Sequence, residues 1–94
     1  MKRSFAEYLD EVLAELRTML LEKNRRYGNS ALEPMRVFSQ APRREQIWVR
    51  MDDKLSRIAQ GSATPDSENP RVDLVGYGII DMIAEKIEEE DANG

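Results

Sequence analysis

The sequence predicts an all-α fold, in which three long amphipathic helices and a short helical turn form a single domain over residues 1–94. Apolar residues recur every three or four positions in three stretches, which is the spacing of one helix face. Capping residues, proline or glycine stand at the ends of these stretches, where helices start and stop. The composition, 40% hydrophobic and 34% charged, is that of a folded globular chain. We therefore expect a helical bundle.

The first helix is predicted to begin near Phe5 and to stop at Gly28. Ser4 and Glu7 form an S-x-x-E capping box, in which each side chain satisfies a free backbone N–H of the other residue. The apolar residues of this stretch lie on one face, which we expect to be core: Phe5, Tyr8, Leu9, Val12, Leu13, Leu16, Met19 and Leu20.

Two further helices are predicted after an ordered loop, residues 29–42, that holds a short helical turn. One helix runs from Arg43 until Gly61 ends it, and residues 61–70, rich in small and turn-forming residues, form an exposed connection. The last helix starts at Pro70, which suits a first turn, with Asn69 as its cap. It continues into the acidic tail at residues 88–94.

Three helices with wide apolar faces make a thin core for a domain that needs two packed layers. We expect homo-oligomerisation to complete the bundle. The alternative is a monomeric bundle that the second helix closes.

Composition excludes several classes of function. The net charge of −4 argues against broad binding to duplex nucleic acid, which relies on many cationic contacts to phosphates. The chain has no cysteine and no histidine, so chemistry would rest on carboxylates, Lys, Arg, Tyr, hydroxyls and a hard cation such as Mg²⁺. No apolar run has the length of a signal peptide core or of a membrane span, and we expect a cytoplasmic protein without a membrane partner.

The first candidate site is the segment K-N-R-R-Y-G-N-S at the end of the first helix. It gathers cations, amides, a phenol and a hydroxyl around a turn that Gly28 and Asn29 can form. The predicted ligand-binding residues here are Lys23, Asn24, Tyr27, Gly28, Asn29 and Ser30. The alternative is an ordinary helix end with solvated basic residues.

The second candidate lies on the second helix, where Arg50, Asp53, Lys54 and Arg57 share one flank. The three cations are predicted to hold phosphate, and Asp53 to orient an arginine or to bind Mg²⁺. A set of helical salt bridges explains the same spacing.

The third candidate is at the start of the last helix, where Asp73 and Tyr77 stand four residues apart at the edge of the apolar face. Glu68 precedes that helix, and Asp53, Glu68 and Asp73 form the predicted metal-ligand set. The alternative has Glu68 and Asp73 as favourable charges near a helix N-terminus. Gly76 and Gly78 weaken a helix interior, so we expect a close helix contact or a close ligand there. No nucleophile motif is present, and no catalytic residue is assigned.

Together these segments resemble the nucleotide modification associated domain family, small helical proteins common in phages and prophages. The resemblance rests on LLEKNRRYGNSAL, VFS, IWVRMDDKLSRI and the E-x-x-x-x-DLVGYGI that runs from Glu68 to Ile79. It implies a nucleotide ligand. Our leading hypothesis is a protein that sequesters or senses this nucleotide, with Tyr27 or Tyr77 against the base or sugar.

The layout also looks like the all-helical MazG and dUTPase-type pyrophosphohydrolases, which would imply magnesium-dependent cleavage of a nucleoside triphosphate. In the segments that carry the resemblance, R-x-x-D-K from Arg50 to Lys54 stands in place of their first acidic motif, and Asn69 stands where an acid is common, which argues against hydrolysis. Whether the protein is an enzyme therefore stays open at the level of sequence. A third interpretation is a helical protein–protein interaction module.

Overall fold

The computed structural model describes residues 2–61 and 69–94, and within these it is all-α, with three helices. Helix α1 spans Phe5–Tyr27, α2 spans Arg43–Gln60 and α3 spans Pro70–Asn93. The predicted fold class is confirmed. None of the helices in the described residues combines the length and the apolar character that crossing a bilayer requires.

The helix ends follow the predicted signals. The Ser4 hydroxyl accepts from the Glu7 backbone N–H, and the Glu7 carboxylate accepts from the Ser4 backbone N–H, at 3.1 and 3.2 Å. Gly28 and Gly61 close α1 and α2 in the left-handed conformation that glycine adopts without strain. Asn69 caps α3 through the Arg71 backbone N–H, and Pro70 occupies the first turn.

The loop between α1 and α2 contains one turn, in which the Leu32 and Glu33 backbone N–H groups donate to the Asn29 carbonyl oxygen. It forms no further helix. Residues 62–68, most of the predicted connection between α2 and α3, lie outside the described residues.

Helices α2 and α3 pack along one another and carry the small core of the described residues, in which Ile47 and Ala84 are the buried apolar side chains. A network of polar contacts joins the start of α2 to the middle of α3. Arg44 donates to both oxygens of Asp81 at 2.9 and 3.0 Å, and Trp48 Nε1 donates to the same carboxylate. The guanidinium of Arg44 holds the pKa of Asp81 below its usual range.

The prediction that the apolar face of α1 is core is wrong for a single chain. No residue of α1 is buried, and Phe5, Leu9 and Leu13 are 75%, 42% and 50% exposed. The described contacts of α1 with α3 lie in its second half, where Met19 and Leu20 approach Gly76. The physical reason is that α2 and α3 pack on one another and leave one side of α1 without a partner.

Candidate ligand-binding site

A cavity of about 700 Å³ opens between α1 and α3, with a polar end and an apolar length. The apolar length is lined by leucines of α1 and isoleucines of α3. The polar end lies where α1 finishes and α3 starts. Its lining includes most of the predicted ligand-binding residues: Lys23, Asn24, Tyr27, Asn29, Ser30, Arg50, Asp73 and Tyr77.

Asp73 is the centre of the polar end. It is 5% exposed, and its carboxylate faces two ammonium groups from different helices. Lys23 Nζ of α1 donates to Oδ1 at 3.0 Å, and Lys54 Nζ of α2 lies 3.2 Å from Oδ2 without the alignment of a hydrogen bond. This single carboxylate therefore ties all three helices together.

The ionisation of Asp73 reflects two opposing effects. Burial disfavours the charged carboxylate, but the hydrogen bond from Lys23 and the positive charges of Lys23 and Lys54 outweigh it. They hold the pKa of Asp73 below its usual range, so the carboxylate is charged at neutral pH. Two ammonium groups from different helices therefore lie against this one charged carboxylate.

Tyr77 and Arg50 form the wall next to this cluster. Tyr77 lies one helical turn after Asp73, as the spacing predicts, and is half-buried. The Arg50 guanidinium lies over its ring, 5.9 Å from the centroid, which is within the range of a cation–π contact. Arg50 is exposed and reaches the cavity, so its hydrogen-bond donors can meet a ligand.

The turn after α1 supplies the amides and the hydroxyl. Gly28 and Asn29 both adopt positive φ, 61° and 63°, which the sequence indicated by placing these two residue types together. Asn29 and Ser30 line the cavity, whereas Gly28 acts only through the turn that it allows. Tyr27 is 57% exposed at the rim.

The structure splits the predicted flank of α2. Arg50 lines the cavity and Lys54 contacts Asp73, but Asp53 and Arg57 pair with each other at 3.3 Å on an exposed part of the helix. Neither of these two residues lines the cavity. Lys54 is 14% exposed and holds Asp73, so its predicted contact to phosphate is replaced by a contact within the protein.

The predicted magnesium ligands are not brought together where they can be described. Asp53 and Asp73 have different cationic partners, and Glu68 lies outside the described residues. No group of three acidic side chains suited to a metal ion forms within residues 2–61 and 69–94. The oxygens of Asp73 face ammonium groups rather than other carboxylates, so the described donors do not fit a magnesium site.

Sequence reasoning missed Arg17, which lines the same cavity. The spacing carried a signal, because Arg17 stands two turns before Asn24 and so shares its side of the helix. The apolar lining by Met19, Leu20 and Leu32 was also missed as part of a site, because apolar side chains on a helix face indicate core before they indicate a ligand.

Comparison of the chain with protein-family models, with curated proteins and with solved structures found no match.

Proposed function

We propose that this protein binds a nucleotide at the polar end of the cavity between α1 and α3. The observation that carries the proposal is the convergence there of cations, amides and two phenols from three separate parts of the chain. A volume of about 700 Å³ is within the range of small-molecule sites. The mixture of polar end and apolar length suits a ligand with a charged part and a flat aromatic part.

The electrostatics of the polar end favour an anion. Arg50 and Arg17 line the cavity, and the ammonium groups of Lys23 and Lys54 lie beside Asp73 at its polar end. The guanidinium of Arg50 offers planar, paired donors that match phosphate oxygens. We assign the main phosphate contact to Arg50, with Lys23 beside it.

The aromatic part of the ligand would meet the two tyrosines. Both rings line the cavity, Tyr27 at the rim and Tyr77 on the wall. A base can stack on such a ring, and the side-chain amides of Asn24 and Asn29 can exchange hydrogen bonds with base edges or sugar hydroxyls. The ligand class is therefore a nucleotide rather than a simple phosphate ester.

Binding is better supported than cleavage. Magnesium-dependent hydrolysis of a nucleoside triphosphate needs several carboxylates that hold the metal. The described carboxylates do not gather in that way, and Asp73 is engaged by lysines. The proposed role is that the protein sequesters or senses a nucleotide, as the resemblance to phage and prophage proteins also implies.

An interaction module is the second candidate, and one observation favours it. Large apolar side chains of all three helices stay exposed in the single chain, among them Leu13, Val49 and Met82. Contacts between copies of the chain would cover part of this surface. The proposed homo-oligomer is compatible with nucleotide binding, because the exposed apolar side chains lie apart from the polar end of the cavity.

A thermal-shift screen separates these functions. The protein is melted with nucleoside mono-, di- and triphosphates and with cyclic nucleotides, each with and without Mg²⁺. A ligand that binds the folded state stabilises it by about 2.7 kcal/mol when the free ligand concentration is a hundred times Kd. This stabilisation raises the melting temperature. If no nucleotide raises the melting temperature at millimolar concentration, nucleotide binding is wrong. Product formation from a stabilising triphosphate would show that cleavage accompanies binding.

The phosphate contact is tested by a matched pair of substitutions on α2. Arg50→Ala removes the guanidinium that lines the cavity, and Arg57→Ala removes one that does not. Loss of a charged hydrogen bond of about 1.5–3 kcal/mol weakens binding by roughly 10- to 100-fold. We expect that loss for Arg50→Ala and unchanged affinity for Arg57→Ala in calorimetric titration. Equal affinity of the two variants would contradict the assignment.

A further inference from the structure

The single chain exposes more surface than a compact monomer of its mass. Its accessible surface is 7491 Å² for 10.8 kDa, whereas a compact monomer of that mass exposes about 5,500 Å². The radius of gyration is 15.4 Å, against about 12 Å for a compact chain of this length. Two chains together carry about 4,000 Å² of such excess, which is within the roughly 2,000–5,000 Å² of total surface that obligate dimers bury.

Part of this exposed surface lies on the leucine face of α1, which borders the cavity between α1 and α3 (the groove). Leu9 and Leu13 are 42% and 50% exposed, and Leu16 and Leu20 are half-buried. Across the groove on α3, Ile83 is 42% exposed. A 23-residue helix with no buried residue gains little from packing within its own chain, although packing supplies most helix stability in proteins. Burial of this apolar face therefore requires a surface from outside the chain.

The leucine stripe of α1 is symmetric along the sequence. Leu9, Leu13, Leu16 and Leu20 follow one another at steps of four, three and four. An antiparallel second copy of the same stripe places Leu9 against Leu20 of the partner subunit, and Leu13 against the partner's Leu16. The two-fold axis then passes between Leu13 and Leu16, so that the surface is complementary to itself, as an isologous interface requires.

The charges of α1 also suit an antiparallel copy. Residues 5–15 contain four acidic and no basic side chains, whereas residues 17–27 contain four basic and one acidic. An antiparallel pair sets the acidic half of each helix beside the basic half of the other. A parallel pair would set like charges together, which opposes association.

We propose that two copies of this chain form a two-fold dimer in which the α1 helices pack antiparallel along their leucine stripes and cover the apolar length of the groove. The same pairing brings Phe5 of the partner subunit opposite Asn24, so the second copy adds a wall to the polar end of the cavity. That second statement rests on the proposed function, whereas the dimer surface does not.

The oligomeric state gives the first test. Light scattering after size-exclusion chromatography is expected to give twice the 10.8 kDa chain mass at about 100 µM. Leu13→Glu places a charge at the proposed axis and is expected to yield a monomer. Val49→Glu is the matched control, since Val49 is 63% exposed on α2 and does not line the groove. It should stay dimeric. A wild-type monomer overturns the proposal, and so does a Leu13→Glu variant that remains a dimer.

Disulfide trapping tests the direction of the helices, and the absence of native cysteine makes it specific. Leu9→Cys and Leu20→Cys chains are refolded together and oxidised, with one chain tagged for its mass. The antiparallel pairing predicts a covalent heterodimer. Each variant alone should not cross-link, because two Leu9 positions lie about 16 Å apart in that pairing, beyond the reach of a disulfide. Cross-linking of Leu9→Cys with itself, or no cross-link in the mixture, overturns the antiparallel arrangement.

The outcomes for the dimer and for the nucleotide are independent. A dimer that Leu13→Glu dissociates, together with no thermal shift from any nucleotide, supports the surface and rejects the proposed function. A monomeric wild type that binds a nucleotide rejects the surface and supports the function.

Discussion

Asp73 is the residue whose side chain contacts both other helices, through Lys23 of α1 and Lys54 of α2. Asp73→Asn keeps the shape of the side chain but removes the negative charge that the ammonium groups of Lys23 and Lys54 contact. Breaking a buried ion pair on one side costs about 3 kcal/mol. We expect urea unfolding to show a loss of that size. Asp53→Asn, in an exposed pair with Arg57, is the control and should leave the free energy of unfolding nearly unchanged. An equal loss of unfolding free energy in Asp73→Asn and Asp53→Asn would show that the contacts of Asp73 with Lys23 and Lys54 do not stabilise the fold.

The pH dependence of stability follows from the same carboxylate. The pKa of Asp73 is lower in the folded chain than its ordinary value, so its stabilisation is present above the unfolded pKa of about 3.9. That stabilisation is lost as the pH falls through the folded pKa. We expect the difference in free energy of unfolding between wild type and Asp73→Asn to be constant near neutrality and to shrink below about pH 4. Other carboxylates are present in both proteins and cancel. A difference that grows on acidification would mean that folding raises the pKa of Asp73 instead of lowering it.

Sequence spacing identified the residues of the site better than their roles. The offset of four between Asp73 and Tyr77 predicted one helix face, and both residues line the cavity. Spacing also predicted that four charged residues share one side of α2. Sequence alone does not say how this 18-residue helix is rotated about its axis relative to α1 and α3. That rotation decides that Lys54 contacts Asp73 whereas Asp53 faces away from the cavity.

At the scale of the helices, the two glycines of α3 have different surroundings. A methyl group at Gly76 would lie 3.3 Å from Leu20 Cδ2 and 3.5 Å from Met19 Cε, both on α1. A methyl group at Gly78 would lie 4.0 Å from Met51 Cε, an ordinary contact. The expected close helix contact is confirmed at Gly76. Gly78 has no comparable restriction.

These surroundings predict different outcomes for the same substitution. Gly78→Ala gains helix propensity and should raise the free energy of unfolding by up to about 1 kcal/mol. Gly76→Ala gains the same propensity but must displace the ends of two α1 side chains, so it should stabilise less or destabilise. Thermal unfolding of the two variants side by side measures the difference. A Gly76→Ala variant at least as stable as Gly78→Ala would show that α1 is not held against α3 at this point.

Helix boundaries were predictable because local chemistry sets them. The capping box at Ser4, the left-handed glycines and Pro70 act within a few residues of the chain. Burial of α1 was not predictable in the same way. The period of its apolar residues defines which face needs cover, but it does not say whether that cover comes from the same chain.

At the scale of the whole molecule, the proposed dimer links the two ends of α1 to one site. Phe5 and Asn24 are about 28 Å apart along the helix, so Phe5 cannot contact a ligand in the cavity of its own chain. Phe5→Ala is nevertheless expected to weaken binding of the nucleotide that gives the largest thermal shift, because it removes a wall from the partner's cavity. Phe38→Ala is the control, since Phe38 is fully exposed and does not line the cavity. Unchanged affinity in Phe5→Ala would show that the second copy adds no wall to the cavity.

The stability of a dimer depends on the concentration of the protein, and that of a monomer does not. A tenfold increase in concentration adds about 1.4 kcal/mol to the free energy that opposes dissociation and unfolding. For a dimer of two such chains, this corresponds to a rise in melting temperature of about 3–5 °C per tenfold increase. Calorimetry of the wild type from about 5 to 500 µM should show that slope, and Leu13→Glu should show a flat one. A flat slope for the wild type would mean that the exposed leucine stripe of α1 is not covered by a second copy.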